Sequence, residues 1–221
     1  MEKIVEPNAE NILSKSFIFI MAMTCGICAG SNYYNQPLIY SIAEALKVNA
    51  DQVALTIVIS QLSYAVGLFI LVPLGDFFEK RSYICLLMCC TGLAQVGLSL
   101  SQTLPALYGF TFLATFFSIA TQVLVHFAEG LASQKKSPQV VGTLMSGLFL
   151  GILLARSIAG LLSTVWSWHA VYLISGIVIL VFAWVMRVKL PVARKSHQLN
   201  ILQIYGSLFS LAVHQPHLLR R

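Results

Sequence analysis

Val72–Ser82, with the sequence VPLGDFFEKRS, lies between two long apolar runs and carries four charged residues within six positions. These residues are Asp76, Glu79, Lys80 and Arg81. Most other charges in the chain lie near its ends or in short gaps between similar apolar runs. This alternation is typical of a polytopic membrane protein, in which charged loops connect helices that are long enough to cross a lipid bilayer.

The composition excludes a soluble protein of this length. Of 221 residues, 57% are hydrophobic and only 10% are charged, and the mean hydropathy is +0.80. A soluble domain needs far more polar surface, so the bilayer is expected to be the solvent for most of the chain. The CxxC pair Cys25 and Cys28 lies in an apolar run without a neighbouring His, Asp or Glu, and we interpret it as packing. We predict no metal site, no cofactor and no enzymatic activity.

The apolar runs predict six membrane spans. Each run has about 20 residues or more, enough at 1.5 Å per residue to cross a hydrocarbon core of about 30 Å. The chain is therefore expected to divide into a cytoplasmic N-terminus (1–16), a six-span bundle (17–190) and a cytoplasmic linker with an amphipathic helix (191–221). The predicted spans are 17–40, 54–74, 82–101, 104–127, 140–164 and 169–188.

The positions of the basic residues predict the topology. The chain has 14 Lys and Arg residues and a formal net charge of +6. With the N-terminus in the cytoplasm, all of them except Lys47 and Arg156 lie on the inner side, as the positive-inside rule requires. We therefore expect a multi-pass protein of the bacterial inner membrane with both termini in the cytoplasm. The excess positive charge is explained by the membrane, so nucleic acid is not an expected partner.

The opening stretch resembles a loop of the major facilitator superfamily, a large group of secondary transporters. The family pattern there is a glycine, three residues, Asp-Arg, any residue, a glycine and two basic residues. Asp76, Lys80 and Arg81 match it, while Val72, Phe77 and Glu79 depart from it. Three further stretches are similar to a branch of bacterial efflux carriers: 32–38 (NYYNQPL), 67–76 (GLFILVPLGD) and 142–160.

The resemblance implies an all-α fold, half of a major facilitator fold, in which six transmembrane helices form two inverted three-helix repeats. It implies a secondary transporter that moves a small solute by alternating access, with efflux as one direction, and is present here as the N-terminal half. Asp76, Lys80 and Arg81 would then form a gating loop. The implied partners are membrane lipid, a small solute, and either a C-terminal six-helix half or a second copy of the chain.

Two other functions remain open from the sequence. The chain could be a non-functional truncated remnant of such a transporter, or a complete six-span scaffold or receptor. A scaffold or receptor is expected to have a self-contained end, whereas this chain closes on a basic linker, 191–221.

Polar residues inside the spans are the candidates for solute binding. Arg156 stands out because a charge within a span costs about 2.5–3.5 kcal/mol on insertion scales. Counting along each helix places Arg156 about 24 Å above the cytoplasmic end of its span, Asn32 at about 22 Å and Gln61 at about 20 Å, in one layer. The alternative is that Arg156 only extends towards the interface and that the amides connect helices. The candidate set is Asn32, Asn35, Gln36, Gln61, Tyr64 and Arg156.

Small residues recur at every fourth position in the fifth span. Gly147, Gly151 and Ala155 have this spacing. Because small side chains let two helix backbones approach closely, we predict that these residues form a helix-packing face.

Overall fold

The structure is a computed structural model that describes residues 14–75 and 77–191. All regular secondary structure in these ranges is helical. The predicted amphipathic helix and most of the predicted N-terminal segment lie outside the described residues, as does Asp76. The α-helices are α1 (Lys15–Gly30), α2 (Asn35–Leu46), α3 (Ala50–Leu74), α4 (Lys80–Ser99), α5 (Leu104–Phe117), α6 (Ala120–Leu131), α7 (Ser137–Val165) and α8 (Trp168–Lys189).

Within the described residues, six helical segments are long and apolar enough to cross a membrane, which confirms the prediction of six spans. Span 1 starts with α1, spans 2 and 3 are α3 and α4, span 4 comprises α5 and α6, and spans 5 and 6 are α7 and α8. Span 2 begins at Ala50, earlier than the predicted residue 54, because Asn49 and Gln52 form a capping box. The Asn49 backbone N–H donates to the Gln52 side chain at 3.2 Å.

Two of the predicted spans are interrupted, so their prediction as single runs was incomplete. Span 1 changes from α1 to a 3₁₀ turn, Ser31–Tyr33, and then continues as α2 to Leu46. Pro37 explains the break. Its backbone nitrogen carries no hydrogen to donate to the carbonyl four residues earlier, and its ring collides with that carbonyl. Span 4 is interrupted at residues 118–119. There the Ser118 hydroxyl donates to the Thr115 carbonyl at 2.8 Å, a contact that often bends helices.

The spans pair in a pattern that inverted repeats produce. Among individual helices, the three most extensive contacts join α1 to α7, α3 to α5 and α4 to α8, that is, spans 1 and 5, spans 2 and 4, and spans 3 and 6; spans 3 and 4 are also in extensive contact. In an inverted repeat, spans 1, 2 and 3 correspond to spans 4, 5 and 6, respectively. The contact between spans 1 and 5 is then equivalent to the contact between spans 4 and 2, and the contact between spans 3 and 6 is equivalent to itself. Glycines mark the equivalent contacts: Gly147 of span 5 lies against Ala22 of span 1, and Gly67 of span 2 against Phe116 of span 4.

The small residues of α7 lie against α1. A Cβ built on Gly147 would stand 2.5 Å from the Ala22 carbonyl oxygen, and one built on Gly30 would stand 3.1 Å from the Ala155 Cβ. Gly151 lies directly against the backbone of Gly26. The two helices therefore approach so closely that only glycine fits at these positions.

In the part of the chain that the structure describes, two apolar clusters form the core, one towards each end of the bundle. The first contains Met21, Leu124 and Met186, and the second contains Ile42 and Leu107. Several buried Asn, Gln, Ser and Thr side chains lie near the breaks in spans 1 and 4.

Candidate solute-binding site

A polar cleft of about 210 Å³ opens between spans 1, 2, 4 and 5. Its wall includes amide, hydroxyl and phenol groups, although the surrounding helices are otherwise apolar. Membrane helices that are interrupted beside a polar cavity are a recurrent way to build a transport site. The lining residues are Ala29, Asn32, Tyr33, Ser60, Gln61, Tyr64, Gln122, Leu148 and Ile152.

Three of the predicted binding residues line this cleft: Asn32, Gln61 and Tyr64. The Asn32 amide nitrogen donates to the Ser118 hydroxyl at 2.8 Å, so it connects the break in span 1 to the break in span 4. The Gln122 amide donates to the Tyr64 hydroxyl at 3.2 Å. These two bonds hold the polar side of the cleft in place.

Asn35 and Gln36 do not line the cleft. Asn35 is 6% exposed, and its amide nitrogen donates to the Ser60 hydroxyl at 3.2 Å. It lines another, much smaller cavity next to the cleft. Gln36 is half-buried and lines neither cavity. The 3₁₀ turn at Ser31–Tyr33 changes the helical register, so the uniform spacing assumed for Asn32, Asn35 and Gln36 does not hold.

Arg156 is exposed and contacts one residue of the cleft wall. The central carbon of its guanidinium group stands 5.6 Å from the centroid of the Tyr33 ring, within the range of a cation–π contact. Tyr33 belongs to the cleft wall, whereas Arg156 is not one of the residues that line it. Arg156 is therefore joined to the site through an aromatic ring.

Sequence reasoning missed Tyr33, Ser60, Gln122 and Ser118. Gln122 could have been found by the same criterion as Gln61, since it is an amide within an apolar span. Tyr33, Ser60 and Ser118 carry no such signal, because tyrosine and serine are common in membrane helices.

The charged end of the bundle contains a hydrogen-bonded chain that the sequence did not predict. Lys80 and Arg81 begin α4. The hydroxyl of Ser82 donates to the Glu79 carboxylate and accepts from the Arg187 guanidinium at 2.8 Å. This chain ties the start of span 3 to the end of span 6. The position of Asp76, the third predicted gating residue, lies outside the described residues.

A conventional metal centre does not occur in residues 14–75 and 77–191, where no three His, Cys, Asp or Glu side chains come together. Cys25 and Cys28 are buried free thiols in the apolar core.

Comparison with known proteins decides the family. The sequence profile described as Major Facilitator Superfamily matches residues 20–216. The chain belongs to the Major Facilitator Superfamily. This assignment agrees with the six spans and their inverted pairing.

Two bacterial proteins are similar to this chain over about half of their own length. It is 40% identical to the "Uncharacterized transporter YgaY" of Escherichia coli O157:H7, over 94% of this chain and 52% of the relative. It is 27% identical to the "Probable transporter SCO4007" of Streptomyces coelicolor, over 94% of this chain and 47% of the relative. The chain thus spans about half the length of the curated relatives it matches.

Proposed function

We propose that this chain is the N-terminal six-helix half of a secondary transporter that moves a small polar or anionic solute by alternating access. The observation that carries the proposal is the polar cleft at the two helix breaks. Asn32 and Gln61 in its wall offer hydrogen bonds, and Arg156, which contacts the Tyr33 ring, offers a positive charge. A site of this composition suits a solute with a carboxylate or a similar anionic group. The resemblance to efflux carriers favours export.

The low burial of spans 2 and 5 supports a second protein unit that would pack against this half and close the cleft. Only 17% of the apolar window of span 5 and 28% of that of span 2 are buried, against 61% for spans 3 and 4. Spans 2 and 5 both contribute residues to the cleft, and a protein unit packed against them would lie beside it. Alternating access moves two halves around a shared site, and a second six-helix unit would complete this one. That unit would be a C-terminal half or a second copy of the chain.

The competing functions account for less of the structure. A six-span scaffold or receptor does not need amides and an arginine beside an open cleft between apolar helices. A non-functional remnant would share the fold, and it is distinguished only by measuring solute binding and transport. We further propose that Asp76, Lys80 and Arg81 act as a gate, in addition to the role of the two basic residues in topology.

Reporter fusions test the proposed location in the bacterial inner membrane. Alkaline phosphatase, which is active only in the periplasm, is expected to be active when fused after Lys47 or Ser101. It is expected to be inactive after Lys136 or Lys189, because the basic residues keep these loops in the cytoplasm. A cytoplasmic reporter, β-galactosidase, should give the reverse pattern, and strong phosphatase activity after Lys136 would contradict the topology.

Cysteine labelling tests whether the cleft is wet, as a solute site must be. In a chain whose five native cysteines are replaced, Gln61→Cys should react with a membrane-impermeant methanethiosulfonate reagent. The matched control is Leu62→Cys, at the same depth on the same helix, since Leu62 is 63% exposed but does not line the cleft. Leu62→Cys should stay unlabelled because its side chain faces lipid. Equal labelling at both positions, or none at Gln61→Cys, would contradict a water-filled cleft.

A further inference from the structure

An apolar groove of about 410 Å³ lies between α1 and α7. On α7, Leu148 and Ile152 belong to the polar cleft, whereas Leu150 and Leu154 belong to the groove. Positions two apart on a helix point about 200° apart, so the two sets of side chains face away from each other. The groove therefore lies on the other side of the contact between α1 and α7, and its role does not depend on the proposed transport site.

The walls of the groove are large exposed apolar side chains, among them Phe19, Leu150 and Leu154. Gly26 and Gly147, which lie at the contact between the two helices, add no side chain to fill it. A void beside packed side chains forfeits dispersion contacts. Within a bilayer, a groove of this kind is therefore expected to be filled by an apolar chain.

The polar side chains of the groove have little to offer a polar solute. The Thr143 hydroxyl donates to the Gln139 carbonyl at 2.9 Å, and the Ser146 hydroxyl donates to the Gly142 carbonyl at 2.9 Å. Both protons are thus used within α7. The third polar residue, Tyr34, follows the end of α1 and is half-buried. A hydrocarbon chain, which needs no hydrogen bonds, suits this surface better than a polar molecule.

The two helices run parallel, so their first turns lie at the same end of the groove. Gly147 lies against Ala22, and one turn further along both helices Gly151 lies against Gly26. Both pairs have the same offset along the chain. This offset places Lys15, the first residue of α1, level with the first turn of α7.

Three exposed lysines lie at this end of the groove. Lys15 begins α1, and Lys135 and Lys136 directly precede α7. Along the helix axis, Lys15 and Lys136 are about one turn, or roughly 6 Å, apart. Neither α1 nor α7 contains an acidic residue, and the carboxylate of Glu129, near the end of α6, lies 3.9 Å from His126 Nδ1. The three lysines therefore give this end of the groove a positive charge.

We propose that the groove binds an anionic phospholipid, with an acyl chain along α1 and α7 and its phosphate headgroup at Lys15, Lys135 and Lys136. Basic clusters between membrane helices bind such headgroups, because the charge lies at the membrane surface while the chains enter the hydrocarbon core. A zwitterionic lipid offers the same chain without the net negative charge. A second copy of the chain in the same orientation would bring its own lysines to this surface, and like charges repel.

The test uses the purified, delipidated full chain in detergent and follows thermal unfolding during addition of dioleoylphosphatidylglycerol or dioleoylphosphatidylcholine. These lipids have the same acyl chains and differ in headgroup charge. We expect phosphatidylglycerol to raise Tm by several degrees and to saturate, as ligand binding to the folded state requires. Phosphatidylcholine should need at least a tenfold higher concentration for the same rise. Glycerol 3-phosphate, an anion without acyl chains, should give no rise.

The lysines are tested by neutral variants. Lys136→Gln should raise the phosphatidylglycerol concentration at half-saturation about fivefold, and the double variant with Lys135→Gln roughly 10- to 30-fold. Lys47→Gln is the matched control, because it removes the same charge after the C-terminal end of α2, far from Lys15 along span 1. It should leave the concentration at half-saturation unchanged.

The groove is tested by filling it. Ser146→Phe adds a ring at an exposed position that lines the groove, and it should abolish the rise in Tm with both lipids. Leu153→Phe is the control, because Leu153 is exposed on the same helix but does not line the groove. It should bind phosphatidylglycerol as the native chain does.

Three results would overturn the proposal. The first is an equal rise with the two lipids, or a midpoint that both lysine variants leave unchanged. The second is a rise that Ser146→Phe retains in full, which would place the lipid elsewhere on the chain. The third is no response to either lipid. If light scattering then shows a dimer that Ser146→Phe dissociates, a second copy of the chain occupies the groove instead.

Discussion

Gly151→Ala is expected to lower the Tm of the purified chain by several degrees, although the change adds only one methyl group. The added Cβ would overlap the backbone of Gly26, which cannot move aside without separating α1 from α7. Forcing an extra methyl group into a packed contact costs about 1–3 kcal/mol. Gly151→Leu should prevent the two helices from associating and leave little folded protein.

The matched control, Gly160→Ala, is expected to have no destabilising effect. A Cβ on Gly160, in the same helix, meets no atom within 4 Å. Gly160→Ala should therefore be neutral or stabilising, because alanine is favoured over glycine in a helix by about 1 kcal/mol. Size-exclusion chromatography and thermal unfolding of the two alanine variants show whether only Gly151→Ala destabilises the bundle. If both variants unfold at the same temperature, the contact between α1 and α7 is not as close as described.

The second large effect is expected at Arg156, provided that the cleft binds an anionic group. Arg156→Leu should insert at least as well as the native chain, because it removes an insertion cost of about 2.5–3.5 kcal/mol. Binding of small carboxylates should nevertheless weaken roughly 10- to 100-fold, since a hydrogen bond to a charged group contributes about 1.5–3 kcal/mol. Arg156→Lys should restore little, because lysine lacks the planar group that can lie over Tyr33 and grip a carboxylate with two bonds.

Tyr33, whose ring contacts Arg156, provides an independent test of the proposed role of Arg156. Tyr33→Phe keeps the aromatic face and should preserve carboxylate binding, whereas Tyr33→Leu should weaken it by releasing the guanidinium group. Tyr40→Leu serves as the control, because Tyr40 is 80% exposed and lies outside the cleft. Binding is read as the rise in Tm across a set of small mono- and dicarboxylates. If Arg156 only extends towards the interface, Lys will match Arg and Leu will be nearly harmless.

Much of the fold could be predicted before the structure. A backbone in lipid must satisfy its own hydrogen bonds, so an apolar run of about 20 residues has almost no alternative to a helix. The spacing of Gly147, Gly151 and Ala155 predicted a close helix contact for a similarly local reason, and their contacts with α1 are consistent with it. The bounds of the spans were less accurate, because caps such as Asn49 and breaks such as Ser31–Tyr33 depend on single side chains.

The sequence by itself determined the six spans, their apolar lengths and the presence of polar groups within them, because each of these is a property of one segment in one solvent. Only the tertiary structure decided which polar groups meet. Asn32 finds its acceptor on Ser118, 86 residues away, and Gln95 donates to Ser31 across 64 residues. Asn35 belongs to the small cavity rather than the cleft because the turn before it changes the register. A cavity is formed by pairs of helices, and hydropathy carries no information about pairs.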